Sequence, residues 1–486
     1  MTKKHTGVIP LVPNKFKVLP KVAKLKMPKV APKMDVQFPY MGSTALNPFM
    51  GHGAGSREAM AEKQRNKSIA IHNPEPSIVI TGLEYEIGDY VERTYIPGGS
   101  TIIDIFTKTT SDGTLISTTI KFKNNGQEDI VEVRDYGFQD PKFGYRMVLT
   151  DAYKNLKEGQ YFKEDTVMAI GTSGATGEYT TSVNVRVANL SHLECSKDAI
   201  IVSDALLSSG RLDYSTFKTI QLTLGPNEYL YNVNGDYDNY QPLPVPGEPL
   251  QKDGYIVGSF KKTSHLQLSK SYLNNRDIFS SSGDVYELTS KHENNHVRDV
   301  TVIKLGNPKR NALNDQLFKL WEESEYYNDI LLNGVDNSNS VDNRKGNAYH
   351  NKLVEILALK NGTATFKDEK PDWLVTITIE TINRPTIKDK LTTGHGSKGL
   401  ISAIIPIDEM PYDSRGYRAD MIIDSTSIER RMIPGNKYEG YLADNAKWNS
   451  DKFKDRLDAG ETDTVKKDIL EYLAIWGNAD INEIYG

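Results

Sequence analysis

The run Leu400-Ile-Ser-Ala-Ile-Ile-Pro-Ile407 constrains this chain more than any other feature. It reads as a strand buried on both faces, so the fold must supply cover on each side of it. The residues before it are of the opposite character. Lys390-Leu-Thr-Thr-Gly394-His395-Gly396-Ser-Lys398-Gly sets two cations and two flexible positions directly against the strand. Gly394 and Gly396 remove side chains, which lets backbone N–H groups approach a ligand. A loop of this kind flanked by Lys390 and Lys398 suits phosphate oxygens. It is not a Walker A loop, because GxxxxGK[ST] is not satisfied and no helix follows. Taken alone, it is also explained as a Gly-rich turn with surface lysines.

With 486 residues, the chain has room for about three domains. Its net charge is −5, unevenly spread: residues 1–34 hold nine lysines and no acid, which leaves 50 of the 59 Lys and Arg facing 64 Asp and Glu. A body that acidic is no general nucleic-acid coat; nucleic acid would be held by a few aimed cations or by partner chains. Cys195 is the single cysteine, so no intrachain disulfide forms. It reads as a small buried filler rather than a nucleophile. With no secretory h-region and no apolar run near the ~20 residues of a membrane span, the simplest setting is a reducing cytoplasm.

The spacing predicts a mostly β chain with α insertions (α+β). Residues 1–37 form a basic Pro/Lys-rich arm, either a solubilising tail or an arm that lies on nucleic acid or an acidic partner. Residues 38–190 are β-rich, with a helix near 56–68 capped by Ser56. Residues 191–265 carry a buried strand, "KDAIIVSDAL", and a polar loop. Residues 266–370 read as a protruding insertion with two helices, and 371–435 return to strands that lead into the opening loop. Residues 436–486 end in a helix with Val465, Ile469, Leu473 and Trp476 on one stripe, suited to a subunit contact.

Two motifs point elsewhere. His292-Glu293-Asn294-Asn295-His296 matches HExxH, whose zinc chemistry needs a helix that puts both histidines on one face with Glu293 as base. Here the flanks alternate as strands, so the motif reads as a hairpin turn and the peptidase as an alternative. "DNSNSVD", Asp336 to Asp342, mimics a calcium loop but lacks Gly at the sixth place and Glu at the twelfth.

The longer stretch "KLTTGHGSKGLISAIIPIDEMPYDSRGYRADMIIDSTSIERRM", Lys390 to Met432, resembles a signature of the β subunit of multisubunit DNA-directed RNA polymerases. There the pattern runs K-M-A-G-R-H-G-N-K-G-V-I-S, an apolar run, E-D-M-P-Y-D, and later S-R-M. Weaker likenesses follow in family order: "NPFMGHGAGSREAMAEKQRN", "VITGLEYE", "KDAIIVSDALLSSGRLDYSTFKTI" and "DGYIVGSFKK". Together they correspond to the C-terminal half of a β subunit without its N-terminal lobes or terminal clamp-binding segment. The split polymerase subunits of giant bacteriophages have this form.

The resemblance implies a double-psi β-barrel built from 191–265 and 371–435, with 266–370 as a flap- or wall-like insertion. It implies that Lys390 and Lys398 are catalytic cations at the RNA 3′ end and the incoming nucleotide, and that Arg431 and Arg57 hold the triphosphate. Gln64, Arg65 and His395 would lie against nucleic acid, and Asp198 would face a second Mg2+ indirectly. The main Mg2+ would be bound by aspartates of a β′-like partner; "GNADINEIYG" only faintly echoes that motif. Implied partners are an N-terminal-half β-like chain, β′-like chains, a promoter-specificity factor, DNA template, RNA product and NTPs, with no membrane, in the host cytoplasm. The chain departs from the pattern at Gly394, where the family has Arg, at Ser397, where it has Asn or Gln, and at Lys197, where it has an acid. The register around Gln64 needs a one-residue gap. Besides the peptidase, a non-catalytic phage structural protein that keeps the fold is the other alternative.

Overall fold

The computed structural model describes residues 42–110, 113–195, 198–248, 250, 253–262, 273–274, 285–287, 295–332 and 371–476. The basic arm, Lys197, His292 and Glu293, the calcium-loop mimic Asp336 to Asp342, the second helix expected in 266–370 and the terminal "GNADINEIYG" lie outside the described residues. The described residues form a mixed α/β structure with four sheets.

The largest sheet has seven strands, all antiparallel. At its centre Tyr214–Leu224 pairs residue for residue with Trp373–Asn383, from Tyr214↔Asn383 to Leu224↔Trp373. Both strands alternate, so Ile220, Leu222, Leu224, Val375, Ile377 and Ile379 fall on one side and form a core. The neighbouring strand Asn295–Lys304 adds Val297, Val300 and Val302 to that core. Part of the 266–370 stretch therefore belongs to the main sheet. The Asp315–Leu332 helix covers this strand with Leu317 and Phe318, and Phe318 meets Trp373 edge-on at 4.9 Å.

The reverse face of the same sheet carries a buried polar cluster. Glu380 is fully buried and is held by Arg298, by Ser215 Oγ and by Arg146 at 3.2 Å. His72 Nε2 lies 2.6 Å from Ser215 Oγ. Burial alone would push the Glu380 carboxyl up, but Arg146, Arg298 and the hydrogen bonds hold it below its ordinary range. Burial, then the charge of Arg146, pushes His72 down.

A second, four-stranded sheet contains Leu115–Asn124 and Gln127–Arg134, joined at Asn125-Gly126. Both turn residues have positive φ, 50° and 82°, the backbone that a two-residue hairpin turn requires.

The five-stranded sheet is the one that matters for the site. Its order is Lys390–Thr392, Lys398–Ile405, Ala199–Ser203, Met421–Ile423, Val187–Asn189. Ala199–Ser203 runs parallel to Lys398–Ile405 and antiparallel to Met421–Ile423. Cores lie on both sides of it: Ile200 and Val202 join Leu206, Leu207, Ile401 and Met421, while Ile201 joins Cys195, Met410, Ala419 and Ile422. The strand with cover on both faces is thus Ala199–Ser203. Lys398–Ile405 is half-covered, with Leu400 48% and Ile404 37% exposed. The register shifts between Ile200 and Ile201, so that Ile401 faces one core and Ala403 and Ile405 the other.

The C-terminal helices Pro434–Asp458 and Thr462–Trp476 pack on each other, with Phe453 edge-on to Tyr472 at 6.1 Å. Val465 is fully buried and Leu470 nearly so. Of the apolar stripe, Val465 finds cover within the chain, while Ile469 and Leu473 are only half-buried. Among the described residues no helix is long and apolar enough to cross a membrane.

Candidate anion-binding cleft

The loop Thr393–Ser397 closes the hairpin between Lys390–Thr392 and Lys398–Ile405, with Thr393 N donating to Ser397 O at 2.9 Å. Antiparallel partners share a face, so Lys398, opposite Thr392, and Lys390, opposite Leu400, both rise from the exposed side. Such diagonal neighbours stand about 7–8 Å apart. Two of the glycines, Gly396 and Gly399, are required by the packing of the protein itself. Gly396 has φ +74°, and a Cβ there would lie 2.3 Å from the Arg57 carbonyl oxygen. This contact seats the loop on the Gly55–Asn66 helix. Gly399 is bare because a Cβ would lie 2.3 Å from the Asp198 carbonyl. The close approach expected at Gly394 and Gly396 is thus used, at Gly396, to pack loop on helix.

Once the loop is seated, a cleft of about 400 Å³ opens between the loop, that helix and the Ser427–Arg431 helix. Arg57, Met60, Asp198, Lys398, Ser427, Arg430 and Arg431 line it. Four of these are cations and one is an acid. Arg431 is largely buried and donates to Asp198 and to Ser397 Oγ. Arg430 pairs with Asp424, and Arg57 donates to Met60 Sδ at 3.4 Å. Lys390 stands on the same sheet face but outside the lining. Sequence reasoning placed Arg57, Lys398, Arg431 and Asp198 at one site, and the structure brings them together. Arg430 and Ser427 were not among the expected residues, their only signals being adjacency to Arg431 and helical spacing from it, whereas Met60 was legible on the same helical face as Arg57.

The other three sequence-predicted residues support the cleft from behind. His395 is 2% exposed, and its Nε2 lies 2.5 Å from Glu439 of the Pro434–Asp458 helix. A direct contact with nucleic acid is not open to a side chain so covered. Arg65 donates to the Ser43 carbonyl. Burial lowers its pKa, and Tyr179, Glu84, Glu439 and Glu58 oppose that shift. Gln64 is half-buried, with its Oε1 covered and without a hydrogen-bond partner. Glu58, beside Arg57, is 1% exposed and accepts from Asn47 at 2.6 Å; burial raises its pKa.

Among the described residues, the donors at the cleft do not fit a resident Mg2+. Asp198 is a single carboxylate already paired with Arg431, whereas Mg2+ wants octahedral oxygen ligands. Among the described residues no group of three His, Cys, Asp or Glu could hold a metal. Of the HExxH motif, the described His296 sits in a strand and pairs with Glu380 in register, not on the helix that zinc-peptidase chemistry needs. Cys195 is buried, and its thiol is pushed up by burial and by Asp424, the opposite of an activated nucleophile.

The fold and the cleft define a mixed α/β chain with a cationic pocket at the edge of a five-stranded sheet. The chain belongs to the family described as RNA polymerase Rpb2, domain 6, whose model matches residues 119–480. Asp198, Lys390, Lys398 and Arg431 fall inside that span, and the Arg57 helix precedes it. The chain is similar to the DNA-directed RNA polymerase subunit beta of Mycoplasmopsis pulmonis (strain UAB CTIP), at 21% identity over 92% of this chain and 32% of that protein. It is likewise similar to the subunit beta of Mycoplasmopsis synoviae (strain 53), at 25% over 64% of this chain and 26% of the relative. For Streptomyces coelicolor (strain ATCC BAA-471 / A3(2) / M145) the figures are 23%, 84% and 31%. The chain spans about a third of the length of the curated relatives it matches.

Proposed function

We propose that this chain is the C-terminal part of the β-like subunit of a DNA-dependent RNA polymerase, and that its cleft faces the phosphates of templated nucleotidyl transfer. One observation carries the reading: Arg57, Lys398 and Arg431, from three separate stretches of sequence, line a single cleft of about 400 Å³. In this reading the five-stranded sheet is part of a double-psi β-barrel, and the barrel's stiffness aims the cations.

In the transfer, the RNA 3′ oxygen bonds to the α-phosphorus of the incoming nucleotide, and the bond from that phosphorus to pyrophosphate breaks. Negative charge builds on the phosphoryl and pyrophosphate oxygens, so fixed cations lower the barrier with no reorganisation at the moment of reaction. Arg57 and Arg431 bind and orient the triphosphate. Lys398 and Lys390 face the phosphates at the RNA 3′ end and the reacting nucleotide. Gln64, Arg65 and His395 serve nucleic acid indirectly, by fixing the helix and loop that carry these groups. The Mg2+ of the reaction, which supplies charge neutralisation when bound, belongs mainly to a β′-like partner. In this reading an N-terminal-half β-like chain and a promoter-specificity factor would complete the assembly, and the setting is a bacteriophage enzyme acting in the host cytoplasm.

The test is purification of the native complex, mass spectrometry of its chains, and RNA synthesis with and without this one. A β′-like chain should co-purify and omission of this chain should abolish templated synthesis. A purified chain that brings down no polymerase partner, with synthesis intact in its absence, would contradict the reading.

A further inference from the structure

Arg431 is the cation of the cleft that already holds an anion. Its two terminal nitrogens donate to Asp198 Oδ1 and to Ser397 Oγ. The two charged partners are unequal: the Arg431 side chain is 11% exposed and that of Asp198 is 60% exposed. What fixes Asp198 is its backbone, whose carbonyl accepts from Leu400 N at 2.9 Å and abuts Gly399. Rotation of an exposed aspartate side chain is inexpensive, while Ser397 keeps its hold on the guanidinium. The same carboxylate does not fit a resident divalent cation, being single and already paired.

We propose that Asp198 is a placeholder anion. It occupies Arg431 while the cleft is empty and yields its place when polyphosphate oxygens arrive. This rests on the reading of the cleft as a polyphosphate site and adds to it a built-in competitor. The carboxylate keeps Arg431 oriented between visits, and the incoming anion must outcompete it. Anions of high charge, which reach Arg57, Lys398 and Arg431 together, do so more readily than singly charged ones. The proposal assigns Asp198 a role toward a neighbouring side chain rather than toward a metal.

The experiment titrates the full chain with inorganic tripolyphosphate by calorimetry, in EDTA and separately with magnesium. Thermal unfolding checks that each variant is folded. In EDTA, Asp198→Asn should bind about two- to fivefold more tightly than wild type, the scale of one part-exposed ion pair. Asp198→Glu, which keeps the charge, should bind like wild type, and Arg431→Ala should bind more weakly. An Asp198→Asn chain that binds metal-free tripolyphosphate no better than wild type overturns the placeholder. Loss of only a magnesium-dependent gain in that variant would make Asp198 a metal ligand instead. If Arg431→Ala binds as wild type does, or wild type does not bind, the reading of the cleft itself fails.

Discussion

Position 396 ties the loop to the cleft. Its φ of +74° and the 2.3 Å that would separate a Cβ from the Arg57 carbonyl leave room for glycine alone. Gly396→Ala should destabilise the fold by about 1–3 kcal/mol and displace the helix that carries Arg57, raising the KM for nucleotides. Denaturant unfolding and nucleotide titration check both effects; unchanged stability would mean that the loop sits elsewhere. A pH effect belongs to the polar cluster of the main sheet. His72 is held below its ordinary value of 6.5 by burial and then by Arg146. The neutral ring is therefore favoured in the fold, and its contribution is present above the ordinary value and lost as pH falls through the folded one. Glu380, also held below its ordinary value, loses its contribution at still more acid pH. The thermal midpoint should fall as pH drops below about 6.5, and His72→Gln should flatten that first part of the decline. The same slope in both proteins would remove His72 from the account. At this scale the cations were legible, because their spacing from Lys390 to Arg431 follows a family pattern. The burial of His395 was not, because Glu439, 44 residues further on, is what covers it.

Between residues and the whole, the elements show which local patterns carry through to tertiary structure. The alternation in Trp373–Asn383 was readable and held: Val375, Ile377 and Ile379 face one core. The apolar run at 400–407 was misjudged, since Leu400 and Ile404 are exposed. Composition marks a run as apolar but says nothing about a register shift or about how far the neighbouring strand reaches. The C-terminal stripe is legible as a stripe, while the packing of its helix on Pro434–Asp458, with Phe453 against Tyr472, is found only in three dimensions. Val465 is fully buried, and burial of such a side chain contributes about 1.5–3 kcal/mol. Val465→Asp should cost more than that, since it also buries a carboxylate without a partner, and should release the Thr462–Trp476 helix. Loss of helical circular dichroism and a lower midpoint are the expected signs; a native spectrum and midpoint would show that the helix is held by other contacts.

For the whole molecule, an acidic body with a concentrated set of cations suits a task in which few positive charges are aimed at phosphates. The chain lacks, among its described residues, any cluster able to hold a metal, and it spans about a third of its relatives' length. Purified alone, it should make no RNA from a template; synthesis by the single chain would refute the assignment of the metal to a partner. The central claim is that Lys390, Lys398 and Arg431 act on phosphates, and single-nucleotide extension of an RNA–DNA scaffold by the assembled complex tests it directly. A charge-assisted hydrogen bond contributes roughly 1.5–3 kcal/mol, so each loss should slow addition by about tenfold to a hundredfold. Arg431→Ala should act mainly through the KM for nucleotide, and Lys390→Ala and Lys398→Ala through the maximal rate as well. If all three variants assemble and extend like wild type at subsaturating nucleotide, the cleft is not a phosphate site of this reaction.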